Sequence, residues 1–217
     1  MRPRLSIVAV ATLSMLPFAG QASVHYAYLD GAHWNVGPLL IVDATGDPRA
    51  QEALRAFKAD WNAMRTDPSM GALPRVELKV GGASAACAGP GLRAASAAAA
   101  HVVVCLDDGL ENAAVGGPYL VDRQGHTTLG VVKLRTSTLA WTPCHLRTAV
   151  AHELGHVMGL AHNDAEPFTG GPSVMMSGKG PYRHGCPLWF NGHDRDALAA
   201  LYRGHAASCS LEGDHAL

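Results

Sequence analysis

The stretch AHELGHVMGLAHN, residues 151 to 163, sets His152, Glu153, His156 and His162 among small and apolar residues. On an α-helix, residues four apart differ in direction by about 40° and lie about 6 Å apart along the axis. The imidazoles of His152 and His156 can therefore grip one ion. Glu153 projects roughly 60° from His156 on the same side, beside the ion yet turned enough to hold a water, where a general base is wanted. If the helix ran on, His162 would stand about 9 Å past His156, too far for zinc–nitrogen bonds of about 2.0 Å shared by all three. The chain must turn back, and Gly159 can take the positive φ of a helix C-terminus at little steric cost. Three neutral imidazoles leave a fourth position for water, the mark of a catalytic rather than a structural zinc site. H-E-x-x-H alone is a weak pattern; the extended H-E-x-x-H-x-x-G-x-x-H on a predicted helix is far more specific.

That helix needs a start and a core-facing stripe. Thr142 and Pro143 supply an N-cap and a first helical residue, and the pattern predicts a helix from Pro143 to about Met158 with Leu146, Val150, Leu154 and Val157 inward. Upstream, LLIV (39–42) reads as a buried strand, and Asp47 with Pro48 opens a helix carrying Ala53, Leu54, Phe57 and Trp61 to about Arg65. RVELKV (75–80) alternates like a strand, and HVVVCL (101–106) is a continuous apolar run like a central one. The Gly/Ala-rich segment between them reads as a surface loop. GPYLVDRQGHTTLGVVKLRT predicts a hairpin around Gln124 and Gly125. A last helix is expected from about Gly192 to Arg203, opened by Asn191, closed by Gly204 and packed through Leu198, Leu201 and Tyr202.

At this point H-E-L-G-H-V-M-G-L-A-H resembles the signature of the metzincin zinc peptidases. The resemblance implies a methionine in a tight turn beneath the metal, and SVMMSG (173–178) supplies Met175, preferred over Met176 because "VMM" is similar to the form in matrixin-like members. LGVVKLRT followed by the zinc helix looks like the edge strand and active-site helix of matrixins, and FNGHDRDALAALYRG is similar to their C-terminal helix. The likeness covers about 39 to 204, strongest from 128 onward. It implies an α+β fold: a twisted, mostly parallel sheet with one antiparallel edge strand, packed on two long helices including the zinc-binding one. An upper subdomain of about 39–162 would be followed by a short C-terminal subdomain with one helix, about 163–217. The edge strand would bind an extended polypeptide as an added strand.

Some family features are missing. A Tyr two residues after the turn methionine is replaced by Ser177, so no oxyanion partner is assigned; Tyr182 and His184 read as ordinary loop residues. The ligand set of a second, structural zinc is not reproduced. Asp107, Asp108, Glu111 and Asp122 are oxygen donors that could serve Ca2+, with a solvated acidic turn the better reading. Neither a cysteine switch nor room for an inhibitory prodomain is found between Ala22 and the first strand.

Composition limits the alternatives. The 217 residues are 48% hydrophobic and 16% charged, enough apolar material for one sizeable core, so a single domain over 23–217 and a monomer are expected. Seventeen basic against 18 acidic residues give no footprint for nucleic acid or an anionic membrane. Arg2 and Arg4 precede an apolar stretch with Gly20 and Ala22 placed for cleavage, so residues 1–22 read as a signal peptide and the protein as secreted, extracellular or periplasmic. The run is broken by Pro17 and is shorter than the ~20 residues of a spanning helix. Export makes disulfides the default for the five cysteines. Cys87 with Cys105 and Cys144 with Cys186 are the preferred pairs, leaving Cys209 over, although the sequence does not itself select the pairing. The functional expectation is a zinc endopeptidase with Glu153 as general base. Its competitors are a zinc-containing binding or toxin-like protein that no longer cleaves general peptides, and a hydrolase of cell-wall peptides.

Overall fold

A computed structural model describes residues 32–35, 37–81, 87, 101–164, 171–177 and 189–209. Five strands form one sheet: β1 (Leu39–Asp43), β2 (Val76–Val80), β3 (Val102–Leu106), β4 (Ala114–Val121) and β5 (Thr127–Leu134). Among the described residues three α-helices accompany it: α1 (Pro48–Met64), α2 (Pro143–Val157) and α3 (Gly192–Cys209). The strand order is β2-β1-β3-β5-β4. The first four strands in that order run parallel, and β4 pairs antiparallel with β5 at the edge. This is the expected α+β layout with a mostly parallel sheet. No helix among the described residues is long and apolar enough to cross a membrane.

Residue parity divides the apolar side chains between the two faces of the sheet. On one face, Val102 and Val104 of β3 join Leu39, Ile41, Val132 and Leu134 beneath α1 and α2. Those helices contribute Leu54, Phe57 and Trp61 from α1 and Leu146, Val150, Leu154 and Val157 from α2. On the other face, Val103, Cys105, Leu129 and Val131 pack with Ala44 and Cys87. Both faces of β3 are covered, which is why its sequence is apolar without alternation. The Cys87–Cys105 disulfide is formed as expected, with Cα atoms 5.7 Å apart. Cys144 is also disulfide-bonded. Its expected partner Cys186 lies outside the described residues, as do the signal segment, most of the Gly/Ala-rich loop, Tyr182 and His184.

Caps account for the helix starts. Asp47 accepts hydrogen bonds from the backbone N–H groups of Arg49 and Ala50 at the head of α1, and Thr142 accepts from His145 N–H at the head of α2. At α3 the cap is reciprocal: Asp194 N–H donates to Asn191 Oδ1, and Asn191 N–H donates to Asp194 Oδ2.

Two expectations need correction. LGVVKLRT is not the edge strand: β5 is flanked by β3 and β4, and it is buried at most positions. The edge is β4, whose Val115, Tyr119, Leu120 and Val121 are exposed. It carries a bulge between Pro118 and Leu120 and tolerates Pro118 because an edge strand has one side free of ladder bonds. Gly204 does not end the last helix, which continues to Cys209. A glycine inside a helix costs only about 1 kcal/mol, and the residues after it, His205 to Ala207, do not oppose continuation.

Candidate metal centre

Helix α2 delivers His152, Glu153 and His156, and its C-terminus reverses the chain toward His162. Leu160 N–H donates to Gly155 carbonyl and Gly159 N–H to His156 carbonyl, both at 3.0 Å, the paired bonds of a Schellman turn. Gly159 sits at its left-handed position with φ 99°. A Cβ there would overlap the Ala32 carbonyl and the Leu201 side chain. The reversal brings the third ring back: centroids lie 4.7 Å apart for His152–His156, 5.2 Å for His152–His162 and 4.8 Å for His156–His162. One ligand atom from each ring lies within 4.8 Å of the others, so the three could hold a metal ion. Among the described residues no other His, Cys, Asp or Glu group of three or more does so.

Two ring orientations are fixed from behind. His152 Nδ1 lies 2.7 Å from the Val174 carbonyl and His156 Nδ1 lies 2.8 Å from the Leu160 carbonyl. A carbonyl only accepts, so both Nδ1 atoms carry the proton and both Nε2 atoms are left as lone-pair donors. Those Nε2 atoms face each other at 3.1 Å. Two lone pairs at that distance, with no proton between them, suit a shared cation: tetrahedral zinc with bonds of about 2.0 Å needs ligand separations of roughly 3.3 Å. Burial is the main reason that His152 is pulled down to about 4, outweighing the Val174 hydrogen bond; His156 and His162 press in the same downward direction, against Asp164. His156 is lowered too, first by burial. Neutral imidazoles, as a metal site requires, are the outcome.

Glu153 is buried against the edge strand. Burial pushes its carboxyl up to about 7, opposed by a hydrogen bond from the Gly116 backbone. Strand and helix touch so closely there that a Cβ on Gly116 would lie 2.5 Å from the Glu153 carbonyl oxygen and 2.7 Å from its Cβ.

Met175 is fully buried in a turn below the histidines, whereas Met176 is partly exposed. A Cβ on Gly155 would overlap the Met175 sulfur, so the turn packs directly under α2. Its position is set by polar contacts that sequence reading missed. Asp194 accepts from Ser173 Oγ, Asn163 Nδ2 and Asn191 N–H. Ser173 Oγ accepts in turn from Met175 N–H. Asn163 N–H donates to the Met175 carbonyl at 2.8 Å, and Ser177 N–H donates to Asp164. The residues after His162 are thus tied to the turn that orients His152. Asn191 was expected to open the last helix, but nothing in the sequence announced that Asp194 caps it in return and also serves the loop.

Of the acidic residues considered for calcium, Asp107 and Asp122 close local turns and Asp108 holds Thr136, 28 residues on. Asp107 accepts from Gly109 N–H and Lys133 Nζ, Asp108 from Thr136, and Asp122 from Gln124 and His126 N–H groups.

No family model matches the chain, and no curated protein matches it.

Proposed function

We propose that the chain is a secreted zinc endopeptidase of metzincin, matrixin-like kind. The observation that carries this reading is the convergence of His152, His156 and His162, with Glu153 buried between that cluster and an exposed strand edge. Zinc fits the donor set, and when bound it supplies Lewis acidity toward a carbonyl oxygen and toward water.

The chain's own residues do the rest. The outer edge of β4, flanked by the exposed Tyr119 and Leu120, accepts an extended polypeptide as a further strand. This places peptide bonds across the end of α2 that bears Glu153. Glu153 takes a proton from water as the water oxygen bonds to the peptide carbonyl carbon, then gives it to the nitrogen as the C–N bond breaks. A carboxyl raised toward neutrality by burial suits a group that must both accept and return that proton. The carbonyls of Val174 and Leu160 keep His152 and His156 in the ligating tautomer throughout.

The test is cleavage of an unstructured protein and of a peptide library by the purified mature chain. Wild type should cleave, a chelator should abolish cleavage, and Glu153→Ala should retain zinc while losing several orders of magnitude in rate. Zinc-loaded wild type that cleaves neither substrate would overturn the endopeptidase reading in favour of a binding role.

A further inference from the structure

The far end of α2 is closed by residues that carry no ligand atom. A helix leaves its last carbonyls without helical partners, and here each one finds a donor. The turn itself serves Leu154, Gly155 and His156. The next two are met from outside. Trp34 Nε1 donates to the Val157 carbonyl at 2.9 Å, a buried bond spanning 123 residues of sequence. Tyr202 Oη donates to the Met158 carbonyl at 3.1 Å and accepts from the Trp34 backbone N–H.

The same segment presses on the glycine of the turn. The Ala32 carbonyl and the Leu201 side chain fill the space that a Cβ on Gly159 would occupy. The His33 carbonyl accepts from Thr127 N–H at 2.7 Å, pinning residues 32–34 to the start of β5. The Trp34 ring and the Val157 side chain of α2 both pack against Gly130 of β5. The Leu160 carbonyl that orients His156 is the next carbonyl but one after that of Met158, which Tyr202 holds.

We infer that residues 32–34 together with Tyr202 are positioning elements for the metal site: they lock the reversal after α2, so that ion affinity depends on a segment more than a hundred residues upstream. The inference rests on the metal reading of the three histidines. Groups that orient ligands from behind typically change metal affinity by 10–100-fold, and this lock acts one step further out, so about tenfold is expected.

Trp61 provides a matched control, because its Nε1 also donates to a backbone carbonyl at 2.9 Å in a buried bond, but from α1 to Pro74, which is no part of the reversal after α2. The experiment compares Trp34→Phe, Tyr202→Phe and Trp61→Phe in the full chain. Zinc affinity is measured by competition with a coloured chelator, and amide hydrogen exchange at Gly159 and Leu160 is measured in metal-free protein. The expected result is about tenfold weaker zinc binding for Trp34→Phe and Tyr202→Phe, with faster exchange at those two amides. Trp61→Phe should match wild type in both readouts, even where its melting temperature falls as far. Equal zinc affinity and equal exchange across wild type, Trp34→Phe and Trp61→Phe would overturn the inference. Because the exchange readout needs no ion, a wild type that bound no zinc would refute the metal reading, while the exchange pattern alone would then decide whether the lock on the turn exists.

Discussion

Gly116 and Gly117 are neighbours in the edge strand, yet they should respond oppositely to alanine. At Gly116 a new Cβ would lie 2.5 Å from the Glu153 carbonyl oxygen, 2.7 Å from its Cβ and 2.9 Å from its carbonyl carbon. Ordinary contacts of this kind lie near 3.5–4.0 Å, so strand and helix must part by about 1 Å. None of the three atoms belongs to the mobile end of a side chain, and the helix they belong to is packed on its other side against the sheet core. Overpacking of this order costs about 1–3 kcal/mol. At Gly117 a Cβ meets nothing within 4 Å, so that substitution should be neutral or slightly stabilising, since glycine weakens a strand. Urea unfolding of the metal-free variants measures the stability difference, and peptide cleavage measures its effect on the placement of Glu153. We expect Gly116→Ala to lose about 1–3 kcal/mol and most of its activity, with Gly117→Ala near wild type in both. Indistinguishable behaviour of the two variants would refute the close contact between β4 and Glu153.

Two further outcomes follow from buried polar groups. Burial lowers the pKa of His101, whose Nδ1 accepts from Leu40 N–H and cannot accept once protonated. The unfolded chain therefore binds more protons between the lowered value and 6.5, so this group's contribution is fully present above about pH 6.5 and is lost as pH falls through that window. In metal-free protein His101→Gln should flatten the fall in unfolding free energy between pH 7 and 5, and unchanged slopes would contradict the assignment. Asp194→Ala leaves the donors on Ser173, Asn163 and Asn191 without their acceptor, at about 1 kcal/mol each and about 3 kcal/mol together. Urea midpoints should show that loss, and zinc affinity should fall with it.

The sequence carried the local rules of this structure well. Strand β3 showed as an unbroken apolar run because both of its faces are covered, and α2 showed its cap, its inward stripe and the glycine of its terminal turn. The histidine cluster was legible for the same reason: the spacing four apart and the compensating reversal at Gly159 are properties of one short segment. Strand order was not, because which partner β5 takes depends on contacts with β3 that no local pattern encodes. The end of α3 was misplaced since one glycine is a weak stop signal. The roles of Trp34, Tyr202 and Gly116 escaped notice because each meets a backbone group far away in sequence, and backbone groups carry no residue-type signature; that of Asp194 escaped because its side-chain partners Asn163 and Ser173 lie 31 and 21 residues away.

The central claim is that three imidazoles share one ion with room left for water. X-ray absorption at the zinc edge on the purified mature chain addresses it most directly. The account predicts one zinc per chain, with three nitrogen ligands and one oxygen at about 2.0 Å, and loss of one nitrogen in His162→Ala. A chain that takes up no zinc, or zinc whose ligand shell is unchanged when His162 is removed, would contradict it.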